Sequence, residues 1–173
     1  MEQLTTTTTR TALKYGLIFG VVYMVYTTIL YTTGQAANSA LAWVSFLISA
    51  VGMVLAMKEF RTENGGFMTY GQGLGIGTMV SAVSGFIWAT YSTIYNQFID
   101  TTLRQQILDK MRSDFEEKGM EDAQIDSMIE MTEKMSSPGM SFISVVISAI
   151  IMGFIISLVV SAIMKKEKPF ELD

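Results

Sequence analysis

The side chains that most often perform catalysis are missing from this chain. It has 173 residues and contains neither Cys nor His, so it has no thiolate nucleophile, no disulfide and no imidazole to act as a base or a metal ligand. General acid–base chemistry would depend on carboxylates. The stretch between the last two apolar segments contains candidates such as Asp100, Asp109, Asp114, Glu116, Glu117, Glu121 and Asp122. Their spacing is typical of solvated helix faces and indicates no pair held by burial, so we predict a non-enzymatic protein without catalytic residues.

Two other patterns suggest ligands, and we interpret both as structural. Six methionines lie between residues 111 and 140, and thioethers bind Cu(I) or Ag(I). Met also fills the cores of small irregular folds, so without a nearby His or Cys we favour that role and expect no metal. The glycine-rich run 71–77 is similar to a dinucleotide-binding loop, but no strand precedes it and no acidic residue follows at the required distance. We therefore expect no cofactor and no nucleic-acid partner.

Lys58 and Arg61 are candidates for contacts with a lipid phosphate. They lie shortly before a helix that begins near Tyr70, and the free N–H groups at the start of that helix would add to an anion site. The simpler interpretation, which we favour, is that the two cations set the membrane topology and complement the C-terminal dipole of the helix before them.

The elements that carry these residues follow from the distribution of charge. Residues 15–57, 64–99 and 135–164 contain no Asp, Glu, Lys or Arg, although the chain has 12 basic and 16 acidic residues. A soluble domain places charge along every solvent-facing helix or strand, whereas a helix that spans a membrane needs about 20 mostly apolar residues. The sequence therefore predicts an integral membrane protein.

Turn signals divide these stretches into four membrane-spanning helices. The polar residues 34–39 separate helices at about 13–33 and 39–57. Thr69 and Gln72 have the spacing of a capping box, which predicts a helix over about 70–96. Pro138 suits the start of a last helix at about 140–164. We predict an all-α fold in which the whole chain, residues 1–173, is a single membrane domain built on a four-helix bundle in the lipid bilayer.

Basic residues predict the orientation of this bundle. They flank the first helix, occupy the second connection and follow the fourth helix, as Arg10, Lys14, Lys58, Arg61, Lys165, Lys166 and Lys168. The first connection is uncharged, and the third has ten acids against five bases. By the positive-inside rule, both termini are cytoplasmic and the third connection is extracytoplasmic.

The third connection, residues 97–139, has the pattern of an amphipathic helical hairpin. Apolar residues recur at every fourth position from Ile99 to Phe115, which predicts a helix continuing out of the membrane from helix three. A second apolar stripe runs from Ile125 to Met135. Neither short helix is stable alone in water, so we predict that residues 98–135 pair with each other and bind a protein partner. The residues of this partner face are Leu103, Ile107, Met111, Phe115, Ile125, Met128 and Ile129.

Small residues recur at every fourth position in the membrane helices. They are Gly16 and Gly20 in the first, Gly73, Gly77, Ser81 and Gly85 in the third, and Ala149, Gly153, Ser157 and Ser161 in the fourth. Such ridges let helices approach closely in a membrane. We expect them to form contacts within one bundle, the alternative being a homo-oligomeric interface.

Several strings at helix ends resemble those of a known family. They are the Lys-Tyr-Gly string at 14–16, the Lys-Glu-Phe-Arg string at 58–61, residues 65–72, and the Lys165-Lys166 pair. They are similar to a bacterial family of small four-helix integral membrane proteins that is defined only as a domain of unknown function. The resemblance covers nearly the whole chain and implies a bacterial inner-membrane location. It implies no activity, ligand or catalytic residue.

Two functional hypotheses follow from these patterns. The first is a non-enzymatic scaffold or accessory subunit of the bacterial inner membrane, which binds a partner through its extracytoplasmic hairpin. The alternative is a small oligomeric transporter or channel-like protein. Transporters and proton pumps usually keep an ionisable residue inside the membrane, and the apolar stretches of this sequence have none, which favours the first hypothesis.

Overall fold

The fold was obtained as a computed structural model that describes residues 7–135 and 137–168. Within these residues it is all-α, as predicted. The helices are α1 (Thr8–Thr32), α2 (Ser39–Glu63), α3 (Tyr70–Ile94), α4 (Leu103–Glu117), α5 (Asp122–Met135) and α6 (Pro138–Met164), and a π-helical segment (Tyr95–Ile99) extends α3.

Four of the described helices are long and apolar enough to cross a membrane. They are α1, α2, α3 with its π-helical extension, and α6. This confirms the four predicted spans, and the protein is a multi-pass membrane protein. The short pair α4 and α5 lies between the third and fourth spans, as predicted. We call the end of the bundle that carries α4 and α5 the hairpin end, and the opposite end, which carries residues 8–15, 56–70 and 160–168, the termini end.

Local hydrogen bonds explain where the long helices begin. The side chain of Asn38 accepts from the N–H of Ala40 at the start of α2. The predicted capping box is present at α3, because Thr69 accepts from the N–H of Gln72 while the Gln72 side chain accepts from the N–H of Thr69. Each contact satisfies a backbone N–H that the first turn of a helix leaves free.

One predicted element is wrong. The sequence indicated a helix running without interruption from the third span into the hairpin, but the chain turns at Asp100, where the backbone is extended (φ −134°, ψ 95°). The Asp100 carboxylate accepts hydrogen bonds from both the N–H and the hydroxyl of Thr102. Because this side chain offers the backbone a local partner, the helix stops there. Ile99 consequently falls outside α4 and is exposed.

Helix α3 is the centre of the bundle because small residues allow close approach on two of its sides. On one side, Cβ atoms added to Gly16 and Gly20 of α1 would lie only 2.6 Å from atoms of Val83 and Ile87. On the other side, a Cβ on Gly85 would lie 2.4 Å from the Cβ of Ala149 in α6. The small ridges therefore make contacts within the bundle, as expected, and these residues are not available as a homo-oligomeric interface.

Helix α2 is buried only over its half nearest the termini end. Its buried residues are Gly52, Met53, Ala56, Met57 and Phe60. The two methionines insert between α3 and α6 and join Ile76 and Val80 in the hydrophobic core. Residues 39–51 of α2 include no buried side chain. The bundle is thus tightly packed at the termini end and opens towards the hairpin end.

Candidate functional site

The opening of the bundle forms a cavity of about 510 Å³ in the half nearest the hairpin end. All four spanning helices contribute to it. The lining residues are Tyr23, Tyr26, Thr27, Leu30 and Tyr31 from α1, Leu41, Ala42, Ser45, Phe46 and Ser49 from α2, Ser81, Ser84, Gly85 and Trp88 from α3, and Ser148, Ala149, Met152 and Ile156 from α6, with Ala36, Asn38 and Ile107 at the hairpin end. This volume lies within the range of about 300–1,000 Å³ that is typical of small-molecule sites.

Tyrosine hydroxyls hold α1 and α2 together along one side of the cavity. The hydroxyl oxygen of Tyr23 lies 2.7 Å from the carbonyl oxygen of Ser45, to which it donates, and 2.7 Å from the Ser49 hydroxyl, with which it forms a second hydrogen bond. One turn further along, Tyr26 donates to the carbonyl oxygen of Leu41 at 2.7 Å. These contacts close the side of the cavity between α1 and α2.

The cavity opens between α2 and α6. Its lining residues on α1 and α3 include the buried side chains of Thr27, Ser81 and Ser84, which form the floor. By contrast, Phe46 on α2 and Met152 on α6 line the same cavity and are exposed. Ala42 and Ser148 are exposed as well. Because this rim belongs to two membrane-spanning helices, the opening faces the hydrocarbon region of the bilayer.

The lining combines apolar surface with neutral polar groups. Among the described residues that line it, none is acidic or basic. The indole Nε1 of Trp88 is buried and has no hydrogen-bond partner within the described part of the chain. A buried donor without an acceptor is costly, so this N–H favours a ligand that carries an acceptor.

Core side chains close the cavity towards the termini end. Ile156 lines the cavity and also belongs to the hydrophobic core. Beyond it lie Met53, Met57 and Ile76, all fully buried. The described helices therefore enclose a pocket that ends within the membrane, and this arrangement differs from a continuous pore.

A second, more polar crevice adjoins the cavity at the hairpin end. It also measures about 510 Å³ and is lined by the α1–α2 connection, residues 34–39, and by Gln106, Ile107 and Lys110 of α4. Ala36, Asn38 and Ile107 line both the crevice and the cavity. The first turns of α4 thus lie beside a site that changes from apolar to polar along its length.

The hairpin buries part of the predicted partner face and exposes the rest. Leu103 and Ile125 are fully buried, whereas Met111, Phe115 and Ile129 are half-buried. Ile107 and Met128 remain 41% and 44% exposed. The strict spacing of four missed Leu108, which is only 6% exposed. Helical neighbours lie three as well as four residues apart, and Leu108 is three residues from Met111, so a search with both spacings would have found it. The side chain of Met135 lies outside the described residues.

Ion pairs within the hairpin use three of its five basic residues. Lys110 pairs with Asp114, Arg112 with Asp126 across the two helices, and Lys134 with Glu130. The hydrogen bond to Asp114 raises the pKa of Lys110, and that to Asp126 raises the pKa of Arg112. The carboxylates are spread over exposed helix surface and are not gathered into a buried pair.

Arg61 contacts the end of another helix. Its guanidinium donates to the carbonyl oxygen of Met164, the last residue of α6, at 3.2 Å. Lys58 is exposed and lies one turn earlier on α2. Nearby, Lys14 of α1 forms an ion pair of 2.7 Å with Glu59 of α2. These contacts join three helices at the termini end, and the binding of a lipid phosphate by Lys58 and Arg61 stays a prediction.

A family model matches residues 14–166, which include most of the first span, the other three spans, the cavity and the hairpin. The chain belongs to the DUF4199 family. The description of this family is "Protein of unknown function", so membership of DUF4199 assigns no ligand or activity. Comparison with curated proteins and with solved structures finds no significant match. In this DUF4199 protein, the cavity and the hairpin are therefore the features that bear on function.

Proposed function

We propose that the protein is a non-enzymatic scaffold or accessory subunit of the bacterial inner membrane that binds a partner protein through residues 98–135. The observation that carries this proposal is the limited packing of the hairpin. Its main interhelical contact is between α4 and α5, and it leaves Met128 and Met131 exposed, the latter at 64%. Exposed apolar side chains on a charged, water-facing element are typical of protein interaction sites.

The charge of the hairpin indicates the chemistry of the partner. The connection between the third and fourth spans has ten acids and five bases. Since three of the bases are paired internally, the carboxylates near the α4–α5 turn, Glu116, Glu117, Glu121 and Asp122, dominate the local field. Anionic lipid headgroups would be repelled, so the proposed partner is a protein with a basic surface around an apolar contact.

The proposed orientation places this surface outside the cytoplasm. Support comes from the basic residues at the termini end and from the uncharged α1–α2 connection at the hairpin end. In this orientation both termini are cytoplasmic, and the partner is an extracytoplasmic protein or the outer part of another membrane protein.

Replacing residues 100–135 by a short flexible linker tests the proposal. The shortened protein should still insert into the membrane but should lose the proteins that crosslink to the wild type in intact membranes. A double variant, Met128→Lys with Met131→Lys, should cause the same loss while keeping the hairpin. The control is Gln124→Lys, which adds a positive charge to an exposed polar position of α5. Retention of every partner by the shortened protein would contradict the proposal.

The cavity favours a second candidate function, a small oligomeric carrier. The hydroxyl groups that line the cavity and the cavity's opening between α2 and α6 suit an uncharged, membrane-soluble compound. An ion would meet no opposite charge among the described lining residues, and burying it there would be costly. Measuring the mass of the detergent-solubilised protein by light scattering tests the oligomeric part of this candidate, which a strictly monomeric protein would contradict.

A further inference from the structure

We propose that the cavity and the adjoining crevice together bind one zwitterionic phospholipid, with an acyl chain in the cavity and the head group in the crevice. Three independent features carry this inference, namely the continuity of the two spaces, the lateral opening of the cavity and the orphan donor of Trp88. The proposal is independent of the partner-binding role of the hairpin.

The first feature is a change of polarity along one continuous site. The cavity is lined mostly by apolar side chains and neutral hydroxyls. The crevice adds the amides of Gln35 and Gln106 and the ammonium group of Lys110. Since Ala36, Asn38 and Ile107 line both spaces, an amphiphile would occupy them without a break. Its apolar part would lie in the cavity and its polar part beside α4.

The second feature is the route of entry. Ala42 and Phe46 of α2 face Ser148 and Met152 of α6 across an exposed rim. The hydrogen bonds of Tyr23 and Tyr26 close the α1–α2 side. The glycines of α1 close its interface with α3, and those of α3 close its interface with α6. A chain would therefore enter sideways from the bilayer, where phospholipids are the abundant amphiphiles.

The third feature is the hydrogen-bond donor of Trp88. Its Nε1 is buried and has no acceptor among the described residues, although the ring lines the cavity. An ester carbonyl oxygen of a phospholipid would supply the acceptor. A hydrocarbon without oxygen would leave the donor unsatisfied, which argues against a purely apolar ligand.

The charge of the crevice selects the head group. Lys110 is the one charged side chain among the described residues that line the crevice. Its ion-pair partner Asp114 lies one helical turn further along α4, just beyond the lining residues. A zwitterionic head group would bring its phosphate to Lys110 and its ammonium group to Asp114, replacing one ion pair by two. An anionic head group at Lys110 would place its negative charge close to Asp114 with no ammonium group to compensate.

Fluorescence of Trp88 provides the test. The chain has two tryptophans, so a Trp43→Phe background leaves Trp88 as the only source of tryptophan fluorescence. The probe is phosphatidylcholine with a brominated acyl chain, added to the full-length protein in detergent. We expect quenching that saturates at a low mole fraction of the probe, and native mass spectrometry should show one retained phospholipid per chain.

Matched variants separate binding in the cavity from contact with bulk lipid. Ser148→Phe would fill the rim and should raise the mole fraction of probe at half-maximal quenching about tenfold. This factor corresponds to a loss of about 1.4 kcal/mol in binding free energy through overpacking. Ile147→Phe is the control, because the neighbouring Ile147 is exposed and does not line the cavity. If Ser148→Phe fails to fold, Ala42→Phe on the opposite side of the rim replaces it.

Three results would overturn the proposal. Quenching that rises in proportion to the amount of probe and is equal in Ser148→Phe and Ile147→Phe would show contact with bulk lipid only. The absence of a retained phospholipid in the mass spectrum would show that no lipid is bound. An equal or stronger saturable response to brominated phosphatidylglycerol would overturn the assignment of a zwitterionic head group.

Discussion

Gly77 of α3 and Ser157 of α6 meet so closely that the Ser157 side chain occupies the space a side chain on Gly77 would need. A Cβ placed on Gly77 would lie 2.4 Å from the Cβ of Ser157, and the methyl group of Met57 is 3.2 Å from the same point. This contact joins two spans and lets α2 insert its methionines at the centre of the packed half. The closed end of the cavity therefore depends on a residue without a side chain.

Gly77→Ala should consequently destabilise the bundle. We expect a loss of about 1–3 kcal/mol, because the added methyl group overlaps the Ser157 side chain and forces α3 and α6 apart in a filled core. The measurement is the thermal midpoint in a mild detergent. The matched control is Gly75→Ala on the same helix, where a Cβ meets no atom within 4 Å and the better helix propensity of Ala makes the change neutral or stabilising. Equal midpoints for the two variants would contradict the assigned packing.

Single cysteines test the proposed orientation against a background that has no native Cys. In intact cells, Cys at position 35 or 118, at the hairpin end, should react with a thiol reagent that cannot cross the membrane. Cys at position 63 or 167, at the termini end, should react only after the membrane is opened. Labelling of the second pair alone in intact cells would reverse the orientation.

Leu108→Ala should destabilise the hairpin more than Ile107→Ala. Leu108 is almost fully buried, and removing a buried Leu side chain costs about 2–5 kcal/mol. Ile107 is 41% exposed, so its truncation should have a smaller effect. Hydrogen–deuterium exchange of the α5 amides reports the difference. Faster deuterium exchange in Ile107→Ala than in Leu108→Ala would contradict the conclusion that Leu108 contributes more than Ile107 to the packing of the hairpin.

The turn at Asp100 should depend on pH. Hydrogen bonds from the hydroxyl and N–H of Thr102 lower the pKa of the Asp100 carboxyl. Its contribution to stability is therefore complete above the ordinary Asp pKa of about 3.9 and is lost as the pH falls through the lowered value. Exchange at residues 102–106, corrected for intrinsic rates, should rise below about pH 4 in the wild type.

Two variants separate the acceptor from the charge at this position. Asp100→Ala should show fast exchange of residues 102–106 at every pH, because it has no acceptor for Thr102. Asp100→Asn keeps an acceptor and should show intermediate exchange without the change at low pH. A wild-type profile that is flat between pH 7 and pH 3 would contradict this account of the turn.

Local patterns in the sequence were sufficient to predict the spans and their starting points. A segment without charge over about 20 residues has one favourable environment, the hydrocarbon core, where its backbone must form helix. The capping box at Thr69 and Gln72 is likewise a contact between residues three positions apart. Such features need no knowledge of the remaining chain.

The hairpin shows where local pattern fails. The spacing of four from Ile99 to Phe115 favoured one continuous helix, and the competing contact between Asp100 and Thr102 stopped it. The same spacing passed over Leu108, whose burial depends on how α4 lies against its neighbours. Periodicity indicates which residues share a face, but only packing determines which part of that face is covered.

The sequence by itself determined that the chain is a membrane protein with four helical spans, because charge and hydropathy act on each segment separately. Tertiary structure alone decided that α2 packs tightly at Met53 and Met57 but leaves space near Ser45. It also decided that Trp88 lines this space with a donor that has no acceptor among the described residues. The physical reason is that a cavity is a property of the gaps between helices. Such gaps depend on side chains far apart in the chain, and no local spacing records them.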